Sequence, residues 1–499
     1  MEHTARKIVA NTFLFTGTLM IQKVISFLYF WFLSAQLSPA LLGSYIWALS
    51  FVGVFSIGID LGLSPLLIRE AARDPKRSER LLRAVLGLKI LFTIGTLALL
   101  LLVLFISRRD FVTMLVVMVG VLVILTDSFT MSFYSILRAR QNIRYESMGM
   151  LGFQILVFAL GAYLLGIARS PILAMTALAV GSLANLLYAW SVVRFRVKFR
   201  TSPIFEREIV DVLLRLLPAF AVSGIFVRLY NVSDALILGY LVDETAVGLY
   251  SVPAKVMTAL QMLIPGAFVA SIYPAMSHYF KTDRTMLERL FERSVGYLLI
   301  LVLPIMVALF VLGPFIIRTI WPAYDAIIPT FLLMAIALPF LFLSFPTGYL
   351  LNAVDRERTN TTNRGIVTVV NVILNLSLIR TFGVLGAGIS FLVSTTLLFI
   401  LDIWNVRQVI PFEWRWLRVV ILKAGIGGLA MGVVLFFMHE KLSLAFLARE
   451  KIFLVVLVLA GFLVYAALML VLRTFSRSEF RMVLDMVRKK SETPIPHEL

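Results

Sequence analysis

Apolar residues in this chain come in long unbroken runs, without the 3.6- or 2-residue alternation of elements that face water on one side. The runs recur from one end to the other, and each of roughly 20 residues can cross a hydrocarbon core of about 30 Å. They predict membrane helices at about 9–34, 43–68, 84–106, 111–136, 148–168, 171–193, 212–241, 248–275, 295–320, 329–353, 365–380, 386–406, 419–438 and 452–472, fourteen in all. The first run is too long for a signal-peptide core and reads as a retained helix. Two stretches between the runs, Ile204 to Leu217 and Phe475 to Val487, space apolar residues helically among charges and are expected to be interfacial helices.

The polar connections alternate in character. Basic residues crowd into every second one, as in "REAARDPKRSERLLR", "RARQNIRYES", "RFRVKFRTSPIFEREIVD" and "DRERTNTTNR". The positive-inside rule then places both termini in the cytoplasm and the chain in a cell (inner) membrane as a multi-pass protein. The other connections are short and leave no room for an external domain. Composition agrees: of 499 residues 60% are hydrophobic and only 15% charged, with a mean hydropathy of +0.95. The formal charge of +18 follows from the basic loops and calls for no nucleic acid. Cysteine is absent, so disulfides and thiolate metal sites are excluded.

The chain also repeats itself. "LSPALLGSYIWALS" before the second helix matches "VDETAVGLYSVPAK" before the eighth, aligning Gly43 with Gly248 and Tyr45 with Tyr250. "SILRAR" and "YLLNAVDR" align Ala139 with Ala353. Six helices separate the matches, so the halves share one orientation and are expected to be related by an axis along the membrane normal. The expected division is an N-terminal lobe at 1–200 (helices 1–6), a C-terminal lobe at 201–410 (helices 7–12), helices 13–14 at 411–472 and a cytoplasmic tail at 473–499.

Several charges fall inside the expected helices. Arg215, Lys89, Lys423 and Arg318 lie near helix ends, where long side chains can snorkel to the headgroups. Lys23, Arg228, Lys255, Asp60, Asp127 and Asp234 lie deeper, where a charge costs roughly 2.5–3.5 kcal/mol at the bilayer centre. These cannot face lipid, so they pair, line an aqueous cavity, or both. Arg228 and Asp234 are separated by about 9 Å of rise and about 120° of rotation, which makes them poor partners for each other. Each needs another helix, and Lys23 or Lys255 is the expected partner of Asp234 or Asp60. Prolines concentrate in helices seven to ten, where kinks would permit bending. Asn371 and Asn375, one turn apart, read as interhelical hydrogen bonding or as polar groups in a cavity wall. There is no HExxH, P-loop or GxSxG, and the histidines, His3, His278, His439 and His497, lie near surfaces or termini. No catalytic residue, metal site or cofactor is expected, and the chain is not read as an enzyme.

"SDALILGYLVDETAVGLYSVPAKVMTAL" (Ser233 to Leu260) resembles the seventh-to-eighth helix hallmark of polysaccharide-biosynthesis membrane proteins. "LSPALLGSYIWALSFVGVFSIGIDLGLSPLLIRE" resembles the matching amino-terminal segment, and "NVILNLSLIRTFGVLGAGISFLVST" the eleventh-to-twelfth signature, with Arg380 where that signature often has proline. The pattern is that of the Wzx-type flippase branch of the multidrug/oligosaccharidyl-lipid/polysaccharide (MOP) exporter superfamily. The resemblance implies an all-α, MATE-like fold: two pseudo-symmetric six-helix lobes in a V, plus two C-terminal helices. It implies alternating-access movement of a polyprenyl-diphosphate-linked oligosaccharide to the outer leaflet. Lys23, Arg228 and Lys255 match the intramembrane cations of that pattern. Asp60, Asp127 and Asp234 would be counter-charges or would bind a coupling ion, sodium or proton. Partners would be the anionic lipid-linked oligosaccharide, the bilayer and other polysaccharide assembly proteins. The alternatives are a cation-coupled multidrug exporter, a peptidoglycan lipid-precursor flippase and, in a different class, a membrane scaffold or an intramembrane glycosyltransferase.

Overall fold

In the computed structural model the chain is all-α. The structure describes residues 2–411, 414–442, 450–472 and 474, and among these there are sixteen α-helices and no strand. They are α1 (Glu2–Gln36), α2 (Pro39–Asp60), α3 (Leu63–Arg73), α4 (Ser78–Ile106), α5 (Phe111–Ala139), α6 (Ile143–Ile167), α7 (Pro171–Ser191), α8 (Arg207–Leu241), α9 (Glu244–Gln261), α10 (Ala267–Thr282), α11 (Arg284–Ile320), α12 (Ile328–Ala353), α13 (Glu357–Phe382), α14 (Val384–Arg407), α15 (Trp414–Leu442) and α16 (Glu450–Val471). Thirteen helical stretches among the described residues are long and apolar enough to cross a membrane. The remaining expected span, 212–241, falls on α8, whose 35 residues include the charges in question. The tail helix expected over Phe475 to Val487 lies outside the described residues.

Short connections end helices through local caps. Ser38, Asp110, Asp243 and Asp283 each accept a hydrogen bond from the backbone N–H three residues on, satisfying a donor the new helix leaves free. Two expected helices are broken. The run 43–68 divides at Leu61 and Gly62, both at positive φ, so α2 ends at Asp60 and α3 begins a new direction. The run 248–275 divides at a π-turn over Met262–Gly266 that contains Pro265, which cannot donate to the helical ladder.

The repeat is visible in the structure. A shift of 205 residues carries the end of α1 at Gln36 to the end of α8 at Leu241, and the start of α2 at Pro39 to the start of α9 at Glu244. Gly43 and Gly248 meet where α2 packs on α9: a Cβ on Gly43 would stand 2.9 Å from the Gly248 nitrogen, and one on Gly248 3.0 Å from the Gly43 nitrogen. Mutual contact of equivalent residues is the mark of a two-fold axis running between two elements. A shift of 214 carries the pair Arg138 and buried Glu146 to Asn352 and Asn360, and Asn360 Nδ2 donates to Asn352 Oδ1 at 2.9 Å. The same helix-to-helix tie is ionic in one half and amide to amide in the other.

The segment from Ile204 to Leu217 is not a separate interfacial helix. Its first turns begin α8, and Leu213 and Leu217 are buried in an apolar cluster with α3, α4 and α5. The linker ahead of it is tied to α4: the Ile204 N–H donates to the Arg83 carbonyl at 3.2 Å, and Arg83 Nε to the Ser202 carbonyl at 2.9 Å. Apolar side chains that would have floated at a headgroup surface instead find a partner on the first half.

Candidate functional site

Arg228, near the middle of α8, reaches across to α2, where its Nε donates to the Gly53 carbonyl at 2.8 Å. The approach depends on the absence of a side chain: a Cβ on residue 53 would stand 2.8 Å from Arg228 Nη2. Arg228 lies within electrostatic reach of Asp127 on α5 but forms no ion pair among the described residues. Both line a cavity of about 470 Å³, with Gln22 of α1, Asp60 of α2, Tyr134 of α5 and Asn185 of α7. The residue after Gln22 is Lys23, which is exposed. The 205-residue shift that aligns the halves takes Lys23 to Arg228, so the two cations occupy equivalent positions of the repeat.

Lys255 comes from α9, half-buried, with its Nζ 5.6 Å from the centre of the Phe30 ring. Lys23 is within its electrostatic reach. Among the described residues neither lysine has a carboxylate partner. The expected pairings of Lys23 or Lys255 with Asp60 or Asp234 are therefore not formed. Asp60 is taken by Lys89, 2.6 Å away, and Lys89 is wholly buried, with Ser64 Oγ and the Ser128 carbonyl also accepting from its ammonium. Lys89 does not snorkel. The break at Leu61–Gly62 turns α3 so that Ser64 donates to Asp60 and closes around the ammonium.

Asp234 has a different environment. Tyr250 Oη donates to it at 2.7 Å, and Asn375 Nδ2 donates to it as well. Asn375 also donates to Asn371 Oδ1, which accepts from Ser233, and Asn371 Nδ2 donates to Ser394. Asn371 and Asn375 are buried, so the network ties α8, α9, α13 and α14 together without a cation among the described residues. The Asn375 Oδ1 is buried with no hydrogen-bond donor among the described residues. A further carboxylate, Asp402 of α14, is wholly buried and has no signal in the sequence; it accepts from Asn363 at 2.8 Å and from Thr347 at 3.4 Å.

At the end of the bundle away from the basic loops, the halves are closed. Arg109, between α4 and α5, pairs with Glu244 at the start of α9 at 3.0 Å and donates to the Gly239 carbonyl at 2.6 Å. Its guanidinium lies 4.3 Å from the Trp47 ring centre and 4.8 Å from that of Tyr240. Trp321 Nε1 donates to Ser34 Oγ at 2.7 Å on the same face. The cavity thus lies on the basic-loop side of this contact.

The profile of the family described as polysaccharide biosynthesis protein matches residues 8–280. The chain is 31% identical over 173 residues to the probable flippase AglR of Haloferax volcanii, a match covering 34% of this chain and 36% of that protein. It is 28% identical over 183 residues to the probable low-salt glycan biosynthesis flippase Agl15 of the same organism, covering 35% and 38%. The chain thus matches little more than a third of the length of these two curated relatives. Among solved structures, the lipid II flippase MurJ in an inward closed conformation aligns with a TM-score of 0.72 at 18% identity, covering 93% of this chain and 98% of that one. An inward-facing multidrug resistance MATE family transporter of the MOP superfamily aligns with a TM-score of 0.64 at 13% identity, covering 78% and 94%. At these identities the likeness is one of fold.

Proposed function

Because the chain belongs to the polysaccharide biosynthesis protein family, we propose that it is a flippase that carries a polyprenyl-diphosphate-linked oligosaccharide from the cytoplasmic to the outer leaflet. The observation that supports this most is the set of cations. Lys23, Arg228 and Lys255 come from three helices in both halves, and none has a carboxylate partner among the described residues. Holding Lys23 and Lys255 in mutual reach without a counter-ion is unfavourable in the free protein. A diphosphate relieves that repulsion and accepts the fork of Arg228, while the polyprenyl chain stays in the bilayer. No bond in the substrate is made or broken, so the work is transport.

Asp127, facing the cavity near Arg228, acts as a counter-charge that keeps anion affinity low enough for release, and Asp60 is held in its pair with Lys89. Asp234 is the entry point for a coupling ion. Its carboxylate and the neighbouring Asn375 Oδ1, which has no donor among the described residues, are hard oxygen donors suited to sodium, and the carboxylate alone suffices for a proton. The sealed face with Arg109 is the outer one, and the cavity loads from the cytoplasm.

Native mass spectrometry of the purified protein, offered a polyprenyl-diphosphate oligosaccharide together with a cationic drug, tests the reading. Retention of the diphosphate lipid, weakened by Arg228→Ala, is expected. Preferential retention of the drug would point to a multidrug exporter, with Arg228 a structural partner.

A further inference from the structure

The second half contains a cavity of its own, about 170 Å³ against about 30 Å³ for one water molecule. It is the repeat-related copy of the cavity in the first half. The 214-residue shift takes Thr130 to Ser344, Met131 to Phe345 and Phe153 to Val367, and each of these residues lines its own cavity. The same shift takes Asp127 to Leu341 and Met150 to Arg364, also on the two walls. The walls therefore differ in charge: the first carries carboxylates at Asp60 and Asp127 beside the Arg228 guanidinium, whereas the second carries the Arg364 guanidinium and, among the described residues, no carboxylate.

Arg364 sits two turns into α13 and is exposed to this cavity. Its Nε donates to Asn360 Oδ1 at 3.2 Å, which fixes the plane of the guanidinium, and it has no ion pair among the described residues. Asp402, within electrostatic reach, is wholly buried behind Asn363 and is not part of the wall. The remaining wall combines rings at Phe226, Tyr230 and Phe345 with amides and hydroxyls at Asn231, Gln261 and Thr368. Aromatic faces suit the C–H face of a sugar ring, amides and hydroxyls suit its hydroxyl groups, and a planar guanidinium suits a carboxylate in a bidentate pair.

We propose that this cavity is a subsite for a carboxylate-bearing sugar of the transported glycan, with Arg364 as the residue that selects it. The inference rests on the flippase reading, because the sugar reaches the cavity while its diphosphate is held at the lysines and Arg228. In the first cavity Arg228 is committed to the diphosphate, so the guanidinium left for a sugar carboxylate is that of Arg364 in the second.

The test uses two polyprenyl-diphosphate disaccharides that differ at one group, a terminal glucuronic acid or its methyl ester, offered in equal amounts to the full chain and followed by native mass spectrometry. The wild-type protein is expected to retain the acid about tenfold over the ester. Arg364→Gln should abolish that preference and leave retention of the ester unchanged. Leu341→Asp, which restores the acid of the equivalent position, should reverse it. Equal retention of acid and ester by the wild-type protein would overturn the subsite while leaving the flippase reading standing. A parallel loss of both lipids in Arg364→Gln would assign Arg364 to the diphosphate and also overturn it. If neither lipid is retained by the wild-type protein, the flippase reading fails and the subsite with it.

Discussion

Removing one member of the Lys89–Asp60 pair should destabilise the protein unequally, depending on which charge is left behind. At 2.6 Å the two charges attract by about 6 kcal/mol at an effective dielectric of about 20, and that gain is offset by several kcal/mol of desolvation for each ion. The intact pair therefore contributes little net, whereas an orphaned buried charge costs about 3–5 kcal/mol. Asp60→Asn leaves the Lys89 ammonium fully buried with Ser64 and Ser128 still accepting, which places the loss near the lower end, about 3 kcal/mol. Lys89→Met leaves Asp60, whose side chain is 29% exposed and borders the cavity, so water solvates it and the loss should be about 1–2 kcal/mol. The double variant should lose less than the sum, because neither charge remains unpaired. Denaturant unfolding of the four proteins in detergent reads all three numbers. Equal effects of the two single variants, or strict additivity in the double, would refute the assignment of Lys89 as a buried, structurally paired cation.

Gly53→Ala should fold normally but push the Arg228 guanidinium off the Gly53 carbonyl, lowering retention of a diphosphate lipid about tenfold, the loss of one charge-assisted hydrogen bond. Unchanged retention would show that Arg228 does not need that perch. Arg109→Ala should loosen the sealed face; since the chain has no cysteine, thiol labelling at Leu37→Cys should rise severalfold in the Arg109→Ala background if the seal holds the halves together. Asp234→Asn should leave the fold intact and remove any dependence of transport on sodium or pH, and retained dependence would move ion coupling elsewhere. Burial works to raise the Asp110 carboxyl, but the hydrogen bonds it accepts from Thr113 outweigh it and hold it below the usual range. Its capping contribution is therefore present above the unfolded value of about 3.9 and is lost as pH falls through the lower folded value, so Asp110→Ala should cost about 1 kcal/mol at neutral pH and much less near pH 2.

The membrane helices and the repeat were legible because both rest on local signals: run length for the spans, and short motifs such as Gly43 and Gly248 for the halves. That charges fall within the apolar runs was legible too, but their partners were not. Lys89 lies near a helix end in sequence, where snorkelling is the ordinary outcome, and only the turn at Leu61–Gly62 brings Ser64 and Asp60 around it. The signal is present as Gly62-Leu63-Ser64-Pro65, inside a run apolar enough to read as one helix. In the sequence Arg364 reads as a loop charge, because α13 begins eight residues before the apolar run does. Its role depends on what α8 and α12 place opposite it, a three-dimensional fact with no local trace. Asp402 is illegible for the same reason, since its partners Asn363 and Thr347 lie on other helices.

Whether Lys23, Arg228 and Lys255, which have no carboxylate partner among the described residues, carry a diphosphate lipid across the bilayer is read in proteoliposomes holding a fluorescent polyprenyl-diphosphate oligosaccharide, with leaflet exchange followed by an impermeant quencher. Rapid exchange by the wild-type protein, lost in Lys23→Ala/Arg228→Ala while that variant stays folded and monodisperse, is the expected result. Full exchange by the double variant, or none by the wild-type protein under any ion gradient, would contradict it.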